Sequence, residues 1–212
     1  MTRIKICGLT READVDAAVE SGADAIGLVL YEGSPRAVSV ERAAALARRL
    51  PPFVTPVCLF VNAPDNLLAE AAGAVPQALF QFHGDETPAQ CSAARRPYIR
   101  AARMAPGLDL LDFARRYGDA CGLLLDAHVE GYGGGGKVFD WSLVPTGVPV
   151  PVVLSGGLNP ANVTDGVLRV RPWAVDVSSG VERAKGVKDA ALIRRFCEAV
   201  READARIDDA IH

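Results

Sequence analysis

Several features are missing from this sequence. No apolar run approaches the ~20 residues needed to cross a bilayer. The opening Met1-Thr2-Arg3-Ile4-Lys5-Ile6 reads as strand rather than as a long apolar leader core. A membrane partner is therefore not expected, and a cytoplasmic location is. The five cysteines (Cys7, Cys58, Cys91, Cys121 and Cys197) are odd in number, widely spaced and free of any C-x-x-C pair. That pattern argues against a disulfide framework or a zinc site and for reduced thiols. Basic clusters are absent too: 23 Lys and Arg are scattered among 26 Asp and Glu, for a net charge of −3 and a pI near 5.6. Such a balance gives no sign of a nucleic-acid surface and points to a small-molecule ligand. No Pro/Ser linker or charge block divides the chain, so residues 1–212 are expected to form a single domain, as a monomer or homodimer. No G-x-G-x-x-G follows the first strand, which weighs against a dinucleotide fold.

What is present is alternation. Half the residues are apolar, and short strand-like runs alternate with amphipathic helical ones. Strands are expected at Arg3–Cys7, Ala25–Leu30, Val54–Val61, Ala78–Phe82, Tyr98–Met104, Cys121–Asp126, Val152–Leu154 and Ala174–Val177. Between them the sequence predicts helices, the first capped by Thr10 and another opened by Thr87-Pro88-Ala89-Gln90, which carries a capping box and a first-turn proline. After the sixth strand only a short helix near Asp140–Leu143 is expected, and Lys188–Ala205 forms the last one. Eight strands and about eight helices give ~26 residues per unit, which fits an α/β fold of the (β/α)8 TIM barrel type. An open parallel sheet shares this periodicity.

The chain centres on Val152–Glu182. Val152-Val153-Leu154 runs into Ser155-Gly156-Gly157, and Ala174-Val175-Asp176-Val177 runs into Ser178-Ser179-Gly180. Small residues between a strand and a helix leave backbone N–H groups uncovered, and such turns suit a phosphate dianion. In a barrel the usual phosphate site lies after strands seven and eight. Asn159-Pro160 reads as the start of the intervening helix, with Asn159 as its cap. A single glycine pair would need no explanation beyond a tight turn; two pairs at this spacing favour an anion cup.

The barrel reading also places chemistry at the C-terminal ends of strands. Cys7 ends the first, Asp126 the sixth and His83 the fourth, while Arg36 lies in the loop after the second. Cys7 is either a small buried hydrophobe or a base that needs help to ionise. Lys5, on the same strand face, either lends Cys7 its charge or is held by an inward carboxylate such as Asp176; the second is expected. Asp126 is a cap or, in apolar surroundings that raise its pKa, a general acid. Gln81 and His83 share a face, with Phe80 and Phe82 turned to the helices; His83 either contacts substrate or bonds within the rim. His128 and His212 read as exposed. Arg36 has the geometry to hold a carboxylate in a bidentate bond. Gly133–Gly136 with Lys137 is a lid, a second anion contact or a plain connector.

Lys5-Ile6-Cys7-Gly8-Leu9-Thr10, Ser34-Pro35-Arg36, Phe60-Val61-Asn62, Gln81-Phe82-His83-Gly84-Asp85-Glu86 and Leu124-Leu125-Asp126 resemble successive signatures of the phosphoribosylanthranilate isomerase family. Gly133–Lys137 with Phe139-Asp140-Trp141, Ser155-Gly156-Gly157-Leu158-Asn159-Pro160 and Asp176–Glu182 extend the resemblance over essentially the whole chain. Two positions depart from the pattern: Gly135 stands where threonine is usual, and Lys185 where a proline usually precedes Gly186. The resemblance implies an Amadori rearrangement in tryptophan biosynthesis, from N-(5-phosphoribosyl)anthranilate to 1-(2-carboxyphenylamino)-1-deoxyribulose 5-phosphate. It implies Asp126 as the acid and Cys7 as the base, with Arg36 facing the anthranilate carboxylate. Gly157 with Ser179 and Gly180 would hold the phosphate, and no metal or organic cofactor is needed. Gly156, Ser178 and His83 complete the expected substrate contacts. The alternatives are another sugar-phosphate barrel enzyme, a phosphate-ligand sensor and a thiol redox protein. The epimerases of the first kind need metal ligands or paired carboxylates, and this rim offers no His/Asp metal cluster.

Overall fold

The computed structural model describes residues 1–127 and 138–209. Its centre is a closed barrel of eight parallel strands, each paired with the next, with the eighth returning to the first. The strands are β1 (Arg3–Cys7), β2 (Ala25–Val29), β3 (Thr55–Phe60), β4 (Leu79–Phe82), β5 (Tyr98–Met104), β6 (Gly122–Ala127), β7 (Val152–Leu154) and β8 (Ala174–Val177). Their registers place Lys5 beside Asp176 and Cys7 beside Gly27. Closure, the point that periodicity left open, is thus settled in favour of the (β/α)8 barrel.

Seven α-helices among the described residues pack outside: α1 (Glu12–Glu20), α2 (Val40–Ala47), α3 (Asp65–Ala74), α4 (Pro88–Ala93), α5 (Leu110–Arg116), α6 (Val163–Val170) and α7 (Ala190–Asp209). Among the described residues the segment between β6 and β7 contributes only a 3-10 turn, Trp141–Leu143, in place of an eighth helix. Residues alternating along each strand make two cores. Outward residues such as Ile4, Ile26, Phe60, Phe80, Phe82, Leu123 and Leu125 meet the helices in one large apolar layer. Phe60 and Phe80 lie 4.8 Å apart between ring centres, and Phe82 meets Tyr98 edge-on at 5.6 Å. Inward residues Ile99, Ala101, Leu124, Val153 and Ala174 plug the lower barrel. Fully burying a side chain of this size is worth about 1.5–3 kcal/mol, so the plug is a firm floor for whatever lies above it.

Several expected details differ. Thr10 does not cap α1; its hydroxyl donates to the Gly186 carbonyl at 2.9 Å, and Arg11 stands at the cap position without a side-chain bond. Thr87 and Gln90 do form the expected reciprocal capping box. Asn159 caps a turn rather than α6: its side chain accepts from the Ala161 amide at 2.8 Å, and regular helix begins at Val163. A hairpin of β9 (Glu182–Ala184) and β10 (Val187–Lys188) follows β8 and was not expected. Its strands are two and three residues long and highly charged, so neither alternation nor apolar content marks them. No described helix is long and apolar enough to cross a membrane.

Candidate active site

The C-terminal ends of the strands enclose a cleft of about 730 Å³, open mouth included, within the usual range for small-ligand sites. Cys7, Arg36, His83, Asp126, Gly156, Gly157, Ser178 and Ser179 all line it. Residues spread over some 170 positions of chain are gathered here because each sits at or just past a strand end. Cys7 and Asp126 project from β1 and β6, with β7 and β8 between them. His128, the Gly133–Gly136 run, with Gly135, and Lys137 lie outside the described residues, as does His212.

At the β6 end of the cleft, Asp126 is buried but not isolated. Its Oδ1 accepts from the Ala127 amide at 2.9 Å, and its Oδ2 lies 3.1 Å from His83 Nε2. His83 Nδ1 in turn lies 3.0 Å from the Gln81 side-chain nitrogen. His83 and Gln81 meet because β4 directs every second residue inward, as its alternation predicted. His83 is therefore tied into the rim through Asp126 as well as open to the cleft.

At the β1 end, Cys7 fits beside Gly27. A Cβ on Gly27 would lie 2.5 Å from the Cys7 sulfur, so that glycine is the space the thiol occupies. Burial pushes the Cys7 thiol up from its ordinary value, and Asp176 adds to the rise, while Lys5 and Lys188 oppose it. Lys5 makes the expected buried ion pair: its Nζ is 2.7 Å from Asp176 Oδ1, and Ser155 Oγ donates to Asp176 Oδ2 at 3.0 Å. Burial disfavours the Lys5 ammonium, but Asp176 and Cys7 overcome that, and its pKa is raised. The two readings of Lys5 are both realised, since it pairs with Asp176 and also faces Cys7.

A third cluster was missed by sequence reasoning. Arg36 is engaged by Glu182 in a bidentate pair, Nε to Oε1 at 2.7 Å and Nη2 to Oε2 at 2.8 Å. Lys188 Nζ, fully buried, donates to the same Oε1 at 2.8 Å and to the Ser178 carbonyl at 3.0 Å. Hydrogen bonding to Glu182 raises Arg36. Burial alone would raise Glu182, but its bonds to Arg36 and Lys188 hold it below its usual range. Burial lowers Lys188, with Glu182 as the main opposing influence. Two cations against one carboxylate leave one positive charge over, at the edge of the cleft that Arg36 lines. The signal available in the sequence was the hairpin turn Lys185-Gly186, which returns Lys188 to Glu182.

The two small-residue turns meet on the β7–β8 side. Gly156 and Gly157 have φ of +77° and +69°, which non-glycine residues rarely adopt. Their amides donate to no other described residue in the turns and caps of the fold. The 3-10 turn Ser179–Val181 likewise leaves its leading N–H groups, those of Ser179 and Gly180, without partners inside the turn. Gly180 does not line the cleft: a Cβ there would lie 1.9 Å from the Leu158 carbonyl oxygen. Its part is to let the two turns close on each other. Among the described residues no group of three or more His, Cys, Asp or Glu is arranged to hold a metal.

Comparison with known proteins agrees with this geometry. Residues 4–199 match the sequence model of the N-(5'-phosphoribosyl)anthranilate (PRA) isomerase family. The N-(5'-phosphoribosyl)anthranilate isomerase of Methylibium petroleiphilum is 76% identical over 97% of this chain and 97% of its own length. That of Leptothrix cholodnii is 74% identical over 99% of this chain and 95% of its own. Among solved structures, phosphoribosyl anthranilate isomerase from Thermotoga maritima superposes with a TM-score of 0.88 at 41% identity, covering 95% of this chain and all of that one. A phosphoribosyl anthranilate isomerase in complex with reduced 1-(o-carboxyphenylamino)-1-deoxyribulose 5-phosphate superposes with a TM-score of 0.83 at 39% identity, again over 95% and 100%. Sequence, barrel topology and the rim of the cleft lead to one conclusion: the chain belongs to the N-(5'-phosphoribosyl)anthranilate isomerase family.

Proposed function

We propose that this chain converts N-(5-phosphoribosyl)anthranilate to 1-(2-carboxyphenylamino)-1-deoxyribulose 5-phosphate with Asp126 as general acid and Cys7 as general base. One observation carries the assignment: a thiol and a carboxyl project into the same cleft from β1 and β6, with the β7 and β8 turns between them. The substrate's phosphate lies against the amides of Gly156, Gly157 and Ser179, with Ser178 and Ser179 hydroxyls at hand. The bound ligand of the relative in complex is a reduced form of this product and carries the same phosphate. The anthranilate carboxylate meets the positive edge that Arg36 and Lys188 leave over after Glu182 is neutralised.

Asp126 gives a proton to the furanose ring oxygen as the C1–O bond breaks, and the anthranilate nitrogen supplies the electron pair that forms the Schiff base. Cys7 then takes the proton from C2, and the electrons flow to the nitrogen to give an enolamine. Loss of the C2 hydroxyl proton and protonation at C1 yield the ketone, so the sequence ends with no net change of protons. The nitrogen is the electron sink throughout, and the chain's own residues need only place and move protons. Burial works against a Cys7 thiolate, and Lys5 is the adjacent cation that favours it. Five free thiols suit the reducing cytoplasm. A fluorescence assay following disappearance of phosphoribosylanthranilate tests the reading. Wild type should turn over, and Cys7→Ala should lose about 10²–10⁴-fold in kcat, the usual worth of a proton-transfer group. Undiminished turnover by Cys7→Ala would overturn it.

A further inference from the structure

The proposed chemistry leaves one buried polar group at the acid end unexplained. Gln81 is fully buried at the floor of the cleft. Its side-chain nitrogen faces His83 Nδ1 at 3.0 Å, while its oxygen has no hydrogen-bond partner among the described residues. A buried, unpaired amide oxygen is unfavourable, and half a turn about the last side-chain bond exchanges it with the nitrogen at almost no change of shape.

The two orientations correspond to two proton counts. With the amide nitrogen toward His83, Nδ1 must offer a lone pair; a neutral imidazole then carries its proton on Nε2 and donates it to Asp126 Oδ2. Asp126 is the carboxylate, and the pair holds one proton. With the amide oxygen toward His83, Nδ1 carries a hydrogen that the oxygen accepts. The Nε2–Oδ2 contact then holds a second proton, shared between imidazole and carboxyl. Only this loaded form has a proton to give to a ring oxygen, and giving it returns the pair to the first state. We propose that Gln81 is a positioning residue for the acid, its amide turning with the proton on the His83–Asp126 pair. The inference rests on the reading of Asp126 as general acid.

Among the described residues the groups facing this pair are few. Arg103 Nη2 on β5 donates to the His83 carbonyl at 3.4 Å. Asp85 follows in the same loop and pairs with Arg103 at 3.2 Å. From the other elements, Cys7, Arg36 and Asp176 line the cleft, and Lys5 stands behind Asp176. Gln81 is the described partner of Nδ1.

The test is a titration of the unliganded full-length chain by ¹⁵N NMR of the histidine rings, with His83→Asn to assign the signals, beside pH profiles of kcat. In wild type the neutral His83 should carry its proton on Nε2 at high pH; a neutral Nδ1–H tautomer there would overturn the proposal whatever the variants do. Gln81→Met keeps the length but accepts poorly. It should lower the pH at which the pair gives up its second proton by about one unit, the effect of losing one hydrogen bond to the protonated form. The alkaline limb of kcat should move with it. Gln81→Glu, a permanent acceptor, should shift both upward and retain turnover at neutral pH. A loss of kcat in Gln81→Met with His83 titration and tautomer unchanged, or equal shifts in both variants, would make Gln81 merely structural. The titration needs no turnover, so absence of isomerase activity in wild type would fault the reading of Asp126 without deciding that of Gln81.

Discussion

The Asp126 and Cys7 ends of the cleft are built differently. Asp126 is held by partners without a fixed charge, a backbone amide and an imidazole backed by a carboxamide. Cys7 lies among full charges, the buried Lys5–Asp176 pair and, further off, Lys188. Partners of the first kind let a proton come and go with small rearrangements. Charged partners fix a field, and here that field only partly offsets the burial that keeps the thiol protonated. A difference of this kind teaches that the two ends should respond differently to the same perturbation.

The largest expected effect follows from removing the charge at the Cys7 end. Lys5→Met leaves Asp176 buried and unpaired, which should destabilise the fold by about 3–5 kcal/mol, readable as a lower midpoint in urea. Asp126→Asn keeps the side chain's shape and the Lys5–Asp176 pair, and should leave that midpoint within about 1 kcal/mol while reducing kcat by about 10²–10⁴-fold. If both variants melted alike, the contrast between the ends would be wrong.

A pH series sharpens the same contrast. The thiol of Cys7 is raised, so its alkylation by iodoacetamide at pH 7 should be slower than that of an ordinary cysteine and should keep accelerating well above pH 8.5. Its raised pKa also means that the associated stability is fully present below the ordinary thiol value and is lost as pH rises through the higher one. Cys58 and Cys91, pushed up to about 12, and Cys197, to about 11, lie in the apolar layer under the helices and should react later still. Peptide mapping by mass spectrometry separates the sites; a Cys7 that reacts as fast as exposed Cys121 at pH 7 would contradict the assignment.

Smaller effects belong to the Arg36 edge. Glu182→Gln weakens both bonds that hold Arg36 and should raise KM several-fold with little change in kcat. Because the Glu182 carboxyl is held low, its contribution to stability is fully present above about pH 4.3, the ordinary glutamate value, and is lost as pH falls through its lower folded value. Glu182→Gln should therefore flatten the acid side of a stability–pH curve. A wild-type curve with no such acid loss would count against this ion cluster.

The barrel, the two turns and the rim positions of Cys7, His83 and Asp126 were legible in the sequence because they follow from strand periodicity and strand ends. β5 was placed correctly, at Tyr98–Met104, despite its arginines; Arg100 is buried, bonds to the Phe82 and Gly84 carbonyls and lies 3.6 Å from the buried Glu86 carboxylate, which meets its charge. The Arg36–Glu182–Lys188 cluster was not legible. It depends on a short charged hairpin whose pairing is set by tertiary contact rather than by local pattern. Gly180 was read as a phosphate ligand when its tighter constraint is the Leu158 carbonyl, a contact between units that no single turn reveals.

In the proposed reaction, thiol and carboxyl flank one sugar whose phosphate rests on the β7–β8 turns. A crystal structure of this chain with reduced 1-(o-carboxyphenylamino)-1-deoxyribulose 5-phosphate tests it most directly. The phosphate should lie against Gly156, Gly157 and Ser179, with Cys7 Sγ and the Asp126 carboxyl on opposite sides of the ribulose chain. A phosphate seated elsewhere, or both groups on one side of the ligand, would contradict it.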